Sequence, residues 1–272
     1  MELWQAIVLG VIQGLAEFLP IYSSGHLLLV QELMGLDFSQ DEEIAFDVAL
    51  HAGTLVALFA YFRSDLLALG RAFVRSLRTR SAREPEERLS WLILLGTLPA
   101  IGAYLLFSDT IRSMEDRPLL IASMLIGVSF IFIIAERFRG TRAVEDVRWT
   151  HALAIGCAQA AALIPGTSRS GATISMGMLL GFERAAAARF SFLLSAPVIT
   201  AALVLSLPDL ARSGAASNEF LAATIIGFAA AAISGYVAVA ALLRFLGGHS
   251  LAWFAAYRIP VGILFLAYFM DR

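Results

Sequence analysis

The chain has 272 residues, a formal net charge of −2 and 59% hydrophobic residues, with a mean hydropathy of +0.77. A water-soluble domain stands nearer about 45–50% apolar; here the excess falls in long runs, so lipid is the solvent for most of the fold, and the small net charge excludes a general nucleic-acid binder. All 20 basic residues are Arg, and the solitary Cys157, in an apolar stretch, excludes internal disulfides and thiolate metal clusters; it reads as a small helix-packing residue.

In chain order, Met1-Glu2-Leu3-Trp4-Gln5 lacks the basic region of a cleaved signal peptide and is kept as structure. Residues 3–36 are apolar at both ends but broken in the middle, at Glu17-Phe18-Leu19-Pro20-Ile21-Tyr22-Ser23-Ser24-Gly25-His26. Each flank is short for a full crossing, which predicts a helix–break–helix hairpin that enters the membrane and turns back. The acidic stretch Asp37, Asp41, Glu42, Glu43 and Asp47 reads as a solvated outer loop. Membrane spans follow at 47–63, 90–107 and 119–136, near the ~20 residues a bilayer requires. A second broken segment, 150–182, carries Pro165-Gly166-Thr167-Ser168-Arg169-Ser170-Gly171-Ala172-Thr173. Three more spans run at 190–207, 220–243 and 251–270; Pro99 and Pro197 within spans are tolerated where neighbours satisfy the freed carbonyls.

Arginines crowd residues 64–89 and 137–150 (Arg137, Arg139, Arg142, Arg148), whereas 108–118 has only Arg112 and Arg117, and 208–219 only Arg212. The positive-inside rule places the first two stretches in the cytoplasm and the others outside. Trp4, Trp91, Trp149 and Trp253 fall near predicted span ends, as an aromatic belt does. His51 and His249 fall near neither break in sequence and read as helix-packing or interfacial residues.

Sliding the chain by 146 positions matches Ala6 to Ala152, Gly10 to Gly156, Gln13 to Gln159, Ser24 to Ser170, Gly25 to Gly171 and Gly35 to Gly181. The expected fold is therefore an all-α polytopic membrane protein with a single membrane domain, residues 1–272. It divides into two inverted-topology repeats, about 1–146 and 147–272, each a re-entrant helical hairpin plus three transmembrane helices. Three is odd, so the halves start on opposite sides and the two breaks meet near the midplane, lining one polar cavity.

Ionisable residues inside a membrane are functional suspects by default: Glu17 and His26 at one break, Arg169 at the other. A buried Glu17–Arg169 ion pair that merely fixes the packing of the halves is the plainer reading, but it leaves the hydroxyls Ser23, Ser24, Thr167, Ser168, Ser170 and Thr173 without a purpose. Two half-helix N-termini, near His26 and Gly171, together with the planar donor Arg169 describe a pocket for a dense anion such as a diphosphate. Glu17 suits a divalent cation or a base, with Gln13 one turn earlier in support. Ser23 is the favoured nucleophile, activated by His26 or Glu17; His26 as direct nucleophile competes, and the sequence leaves the choice open.

At these residues the chain resembles the undecaprenyl-diphosphatase (bacitracin-resistance) family of bacterial membrane enzymes. That family's first motif, Glu/Gln-Gly-x-x-Glu-Phe-Leu-Pro leading into Ser-Ser-[Ser/Thr]-Gly-His, is similar to Gln13 through His26. Its second, Pro-Gly-x-Ser-Arg-Ser-[Gly/Ala]-x-Thr, matches Pro165 through Thr173 at every fixed position. The resemblance implies hydrolysis of undecaprenyl diphosphate in the bacterial inner membrane, a divalent cation (Mg2+ or Ca2+), and a pocket opening outward. It implies catalytic roles for Glu17, Ser23, His26 and Arg169, with the cation on Glu17 and Gln13 as a further ligand. Phosphate binding falls to Ser24, Gly25, Ser168, Arg169, Ser170, Gly171 and Thr173. Tyr22 departs from the pattern where the family has its first Ser, and Gln13 stands where many members have Glu. The expected partners are the polyprenyl diphosphate and membrane lipids, with a second copy of the chain (a homodimer) as a further candidate and no nucleic acid. A lipid-phosphate transporter or flippase would use the same anion pocket without needing the Ser, His and Glu set. A type-2 phosphatidic-acid phosphatase would need a later His–Asp element that His249 does not supply.

Overall fold

The computed structural model describes all residues except 116, 139, 213–216 and 271–272, with backbone alone for 115, 209, 211 and 212. Arg139 and the middle of the 208–219 loop, both used in the basic-residue count above, lie outside the described residues. Among these the chain is helical throughout, with one isolated bridge between Arg142 and Phe182. In order the helices are α1 (Leu3–Phe18), α2 (Ser23–Leu33), α3 (Gln40–Tyr61), α4 (Arg63–Thr79), α5 (Pro85–Glu115) and α6 (Pro118–Ala135). A 3₁₀ turn (Val144–Asp146) leads into α7 (Trp149–Ala161), α8 (Arg169–Leu179), α9 (Arg184–Arg212), α10 (Asn218–Leu246) and α11 (Ala252–Met270).

Six of these helices, α3, α5, α6, α9, α10 and α11, are long and apolar enough to cross a membrane, each overlapping one expected span. Their outward faces carry large apolar side chains such as Phe59, Leu98, Leu106, Phe130, Ile233 and Leu264. Such a surface is unstable in water and suits lipid. The chain is a polytopic membrane protein.

The acidic stretch read as an outer loop and the Arg-rich stretch placed in the cytoplasm are both helical. The acidic run supplies the first turn of α3: Ser39 accepts from the Glu42 N–H and Glu42 accepts from the Ser39 N–H, with Asp41 and Glu43 beside them. Carboxylates favour that end of a helix dipole. The Arg-rich stretch is α4, whose arginines alternate with Leu66, Leu67, Leu69, Val74 and Leu77 at helical spacing. Cys157 is exposed on α7 rather than packed between helices.

Packing is dominated by α1 on α10, α10 on α3, α11 on α6 and α7 on α5, with α9 central against α3, α5 and α8. Small residues make these contacts close. A Cβ on Gly10 of α1 would stand 2.3 Å from the Gly227 carbonyl of α10, and one on Gly156 of α7 would stand 2.4 Å from the Gly96 carbonyl of α5. Such approaches let helices associate where lipid provides no hydrophobic drive. Gly10 and Gly156 are the residues that the 146-position shift superposes.

Candidate active site

Four residues, 19–22, separate α1 from α2, and seven, 162–168, separate α7 from α8. The residue before each second helix has positive φ without being Gly: Tyr22 at φ 76, ψ 97 and Ser168 at φ 69, ψ 112. A non-Gly residue held there costs about 1–3 kcal/mol and persists where surrounding packing over-determines it. These two stand 146 positions apart, as do Gly35 (φ 63) and Gly181 (φ 86), which follow the two short helices. Both breaks therefore use the same backbone device to start and to end a half-helix.

Glu17, in the last turn of α1, joins the two breaks. Its Oε1 accepts from Arg169 Nη2 at 2.8 Å; its Oε2 accepts from Ser23 Oγ at 3.1 Å and Gln13 Nε2 at 3.2 Å. The Glu17 side chain is 9% exposed and that of Arg169 16%, so the pair is poorly screened, and losing either partner strands a charge. Arg169 Nη1 is buried without a hydrogen-bond partner, as is the hydroxyl of Thr167 two residues before it. A guanidinium edge and a hydroxyl left as donors beside a capped helix start suit an anionic oxygen.

The second break is closed and hydroxyl-rich. Ser168 caps α8 by accepting from the Gly171 N–H at 3.3 Å and lies 3.3 Å from Ser170 Oγ, which donates to the Leu19 carbonyl of the first break at 3.2 Å. Thr173 donates back to the Arg169 carbonyl at 2.8 Å and meets Ser191 Oγ of α9 at 2.6 Å. Ser168, Ser170 and Thr173 are buried. The first break is more open: Ser24 is exposed, Ser23 and His26 are partly so, and no side chain at Tyr22 caps α2.

Spacing alone suggests that Ser23 and His26 meet across one helical turn. Instead Ser23 bonds to Glu17, while His26 Nδ1 faces the Tyr22 carbonyl at 2.7 Å and Nε2 faces Tyr257 Oη at 2.9 Å. A carbonyl only accepts, so Nδ1 carries the proton, and in the neutral ring Nε2 accepts from the phenol. The Tyr257 ring stacks on the imidazole, centroids 5.8 Å apart at 13°. Gly25 and Gly171 also have local reasons to lack a side chain. A Cβ on Gly25 would sit 2.8 Å from the Tyr22 ring, and one on Gly171 would sit 2.2 Å from the ring of Phe132. The Gly171 N–H is already engaged by Ser168.

Three residues of this neighbourhood were not placed at the site by the sequence: His51, read above as a helix-packing or interfacial residue, and Tyr257 and Arg258, not singled out. His51 of α3 has Nε2 3.8 Å from Glu17 Oε2 and Nδ1 2.9 Å from the Asp47 carbonyl, so it adjoins the central carboxylate rather than serving only to pack helices. Tyr257 holds His26, and Arg258 lies fully buried between the two breaks. Distance from a break along the chain is the wrong measure. His51 lies in the expected span 47–63 and Arg258 in 251–270, where any ionisable side chain is already a suspect.

Among the described residues no cluster of three or more His, Cys, Asp or Glu forms a metal cage. Beside Glu17 the buried Gln13 Oε1 is an acceptor without a partner. One carboxylate and one amide oxygen fit a hard cation that takes its other oxygens from phosphate and water.

A family model described as bacitracin resistance protein BacA matches residues 6–264. The chain belongs to this family. An undecaprenyl-diphosphatase of Rubrobacter xylanophilus is 46% identical over 270 residues, 98% of each chain. One of Corynebacterium diphtheriae is 42% identical over 268 residues (97% of this chain, 93% of its own), and one of Gemmatimonas aurantiaca is 41% identical over the whole of both. Every residue of the site, from Gln13 to Arg258, lies within the span the family model matches.

Proposed function

We propose that the chain hydrolyses undecaprenyl diphosphate to undecaprenyl phosphate and inorganic phosphate, as a multi-pass enzyme of the bacterial inner (plasma) membrane. The observation that carries this reading is the convergence of Ser23 and Arg169, from opposite breaks, on the two oxygens of Glu17. Nucleophile, base and anion donor thereby share one contact set.

Glu17 Oε2 takes the Ser23 proton as Oγ attacks the terminal phosphorus. The bridging P–O bond breaks and undecaprenyl phosphate leaves. Water then opens the phosphoserine, Ser23 recovers the proton held by Glu17, and phosphate departs as its dihydrogen form. Arg169 Nη1 and the Thr167 hydroxyl meet the phosphoryl oxygens, while Ser168, Ser170 and Thr173 hold the α8 start in place. Where a divalent cation (Mg2+ or Ca2+) accompanies the diphosphate, Glu17 and Gln13 hold it, and it supplies charge neutralisation. His26, fixed by Tyr22 and Tyr257, stands one turn beyond Ser23 and orients the α2 start.

We read the halves, about 1–146 and 147–272, as inverted repeats of one membrane domain whose pocket opens outward. The equal spacing of α2 and α8, of Tyr22 and Ser168, and of Gly35 and Gly181 supports this reading. So does the pairing of α1 with α10 and of α7 with α5. The test is phosphate release from a C55 diphosphate by purified protein in detergent, with and without EDTA, beside Glu17→Ala, Ser23→Ala and Arg169→Ala. Release by wild type and its loss in well-folded variants is expected. No release under any metal or lipid condition sinks the phosphatase and turns attention to lipid-phosphate transport through the same pocket.

A further inference from the structure

Among the described residues Arg258 is the largest fully buried side chain, at 0% exposure, in the first half of α11. Among the described residues it has no carboxylate within ion-pairing distance. Its donors go to backbone and hydroxyl oxygens: Nη1 to the Pro20 carbonyl at 3.4 Å, Nη2 to the Gly166 carbonyl at 2.8 Å and to the Met124 carbonyl at 3.5 Å, and Nε to Ser129 Oγ at 3.2 Å. Pro20 belongs to the first break and Gly166 to the second, so a single guanidinium binds a turn carbonyl of each.

The physical need is clear. Irregular backbone at membrane depth leaves carbonyls that no helix satisfies, and each such carbonyl buried unpaired costs free energy. Water could satisfy them only by wetting the turns. Arg258 does so from a dry position, and its rigid planar fork holds two separated acceptors in a fixed geometry, which a compact ammonium on a flexible stem does not. The guanidinium lies 5.0 Å from the centroid of the Phe132 ring. The same ring lies against Gly171, the third residue of α8, whose missing side chain makes room for it. Arg258 therefore grips the second break twice, through the Gly166 carbonyl and through Phe132 on the α8 start. Its chain neighbour Tyr257 holds His26 on α2.

We infer that Arg258 is a positioning residue that locks the two re-entrant turns to each other and so sets the approach of Ser23, on the first, to Arg169, on the second. It touches none of the reacting groups. Its influence on rate runs through the two turns, and that kinetic part rests on the phosphatase reading above.

The test compares wild type with Arg258→Lys and Ser129→Ala in detergent, by hydrogen–deuterium exchange and by phosphate release. In Arg258→Lys, peptides covering 19–25 and 163–171 should both exchange at least about fivefold faster, while peptides of the α3–α10 contact keep wild-type rates. The kcat should fall at least about tenfold with KM within about threefold of wild type. Ser129→Ala, which removes one partner and leaves both carbonyls bonded, should show the same pattern at smaller amplitude and guards against failure of the Lys variant to fold. Wild-type exchange at both turns, faster exchange at one turn only, or a rise spread over the whole chain would each overturn the proposal. Should wild type release no phosphate, the phosphatase reading falls by itself, and the exchange data still decide whether Arg258 couples the turns.

Discussion

The two breaks share a frame and differ in chemistry. Each puts a strained non-Gly residue before its second half-helix, at Tyr22 and Ser168, and each ends that helix on a positive-φ glycine. Yet the first contributes a carboxylate, a hydroxyl bonded to it and a partly exposed imidazole, whereas the second contributes a guanidinium and a buried, mutually bonded set of hydroxyls. The position equivalent to Glu17 is Leu163, and the position equivalent to Arg169 is Ser23. A frame used at both breaks can thus place opposite charges face to face, each break supplying what the other lacks. On the mechanism proposed above, the first break reacts and the second holds.

If that division is right, removing the contact between the halves has the largest effect. Arg169→Ala leaves Glu17 buried with only the His51 imidazole beside it, 3.8 Å away, and removes the donor proposed to meet the phosphate. Loss of a preorganised donor of this kind costs about 10²–10³-fold in rate, and Arg169→Ala should show at least that loss of kcat in phosphate release. Arg169→Lys should recover only part, because an ammonium cannot serve Glu17 and a phosphoryl oxygen in one plane. Activity within threefold of wild type in Arg169→Ala would end the comparison.

Next comes Glu17→Gln, which keeps the shape and an acceptor for Arg169 but no longer takes a proton from Ser23. A lost general base reduces rate about 10²–10⁴-fold; the loss should appear in kcat, and thermal stability should fall with it because Arg169 is left buried without its counter-charge. A smaller loss, about tenfold, is expected for Tyr257→Phe, which frees His26 Nε2 while leaving the stacked ring. If His26 were instead the nucleophile, freeing Nε2 would raise the rate.

Much of this was legible in the residues. The six spans, both breaks and the grouping of Glu17, Gln13, Ser23 and Arg169 follow from hydropathy and from polar residues that lipid would not tolerate without purpose. The contacts that cross between distant helices were not. Nothing in the spacing of Ser23 and His26 reveals that Tyr257, 231 positions away, claims the imidazole. Between the two activators the sequence left open for Ser23, His26 and Glu17, the structure bonds the hydroxyl to Glu17, six residues back across the break. Helical periodicity hid α4 for a different reason, since seven arginines between 63 and 88 read as solvated loop unless the leucines between them are counted.

Glycines at equivalent positions separate the halves by stability. Gly171→Ala drives a methyl to 2.2 Å from the Phe132 ring, which cannot swing away because Arg258 lies on it. Overpacking of this kind costs about 1–3 kcal/mol. Gly25→Ala meets the partly exposed Tyr22 ring at the longer distance of 2.8 Å, with Ile121 at an ordinary 3.6 Å, and should cost less than Gly171→Ala in the same thermal scan. Equal losses would mean that the second break is no more rigid than the first.

The smallest effect tests the cap that only the second break has. Ser168→Ala removes the acceptor for the Gly171 N–H, a loss typically worth about 1 kcal/mol. Because Ala and Ser bear the same penalty at φ 69, backbone strain cancels in the comparison and the cap alone is read. Ser168→Gly loses the same acceptor but relieves a left-handed strain of about 1–2 kcal/mol, so it should melt at or above wild type while Ser168→Ala melts below it. That order would show that the hydroxyl at Ser168 fastens α8, and that Tyr22, which offers no such cap to α2, leaves those first N–H groups to be satisfied from the reacting side. Ser168→Ala melting with wild type would make the two helix starts equivalent and remove the reason to call the second break the one that holds.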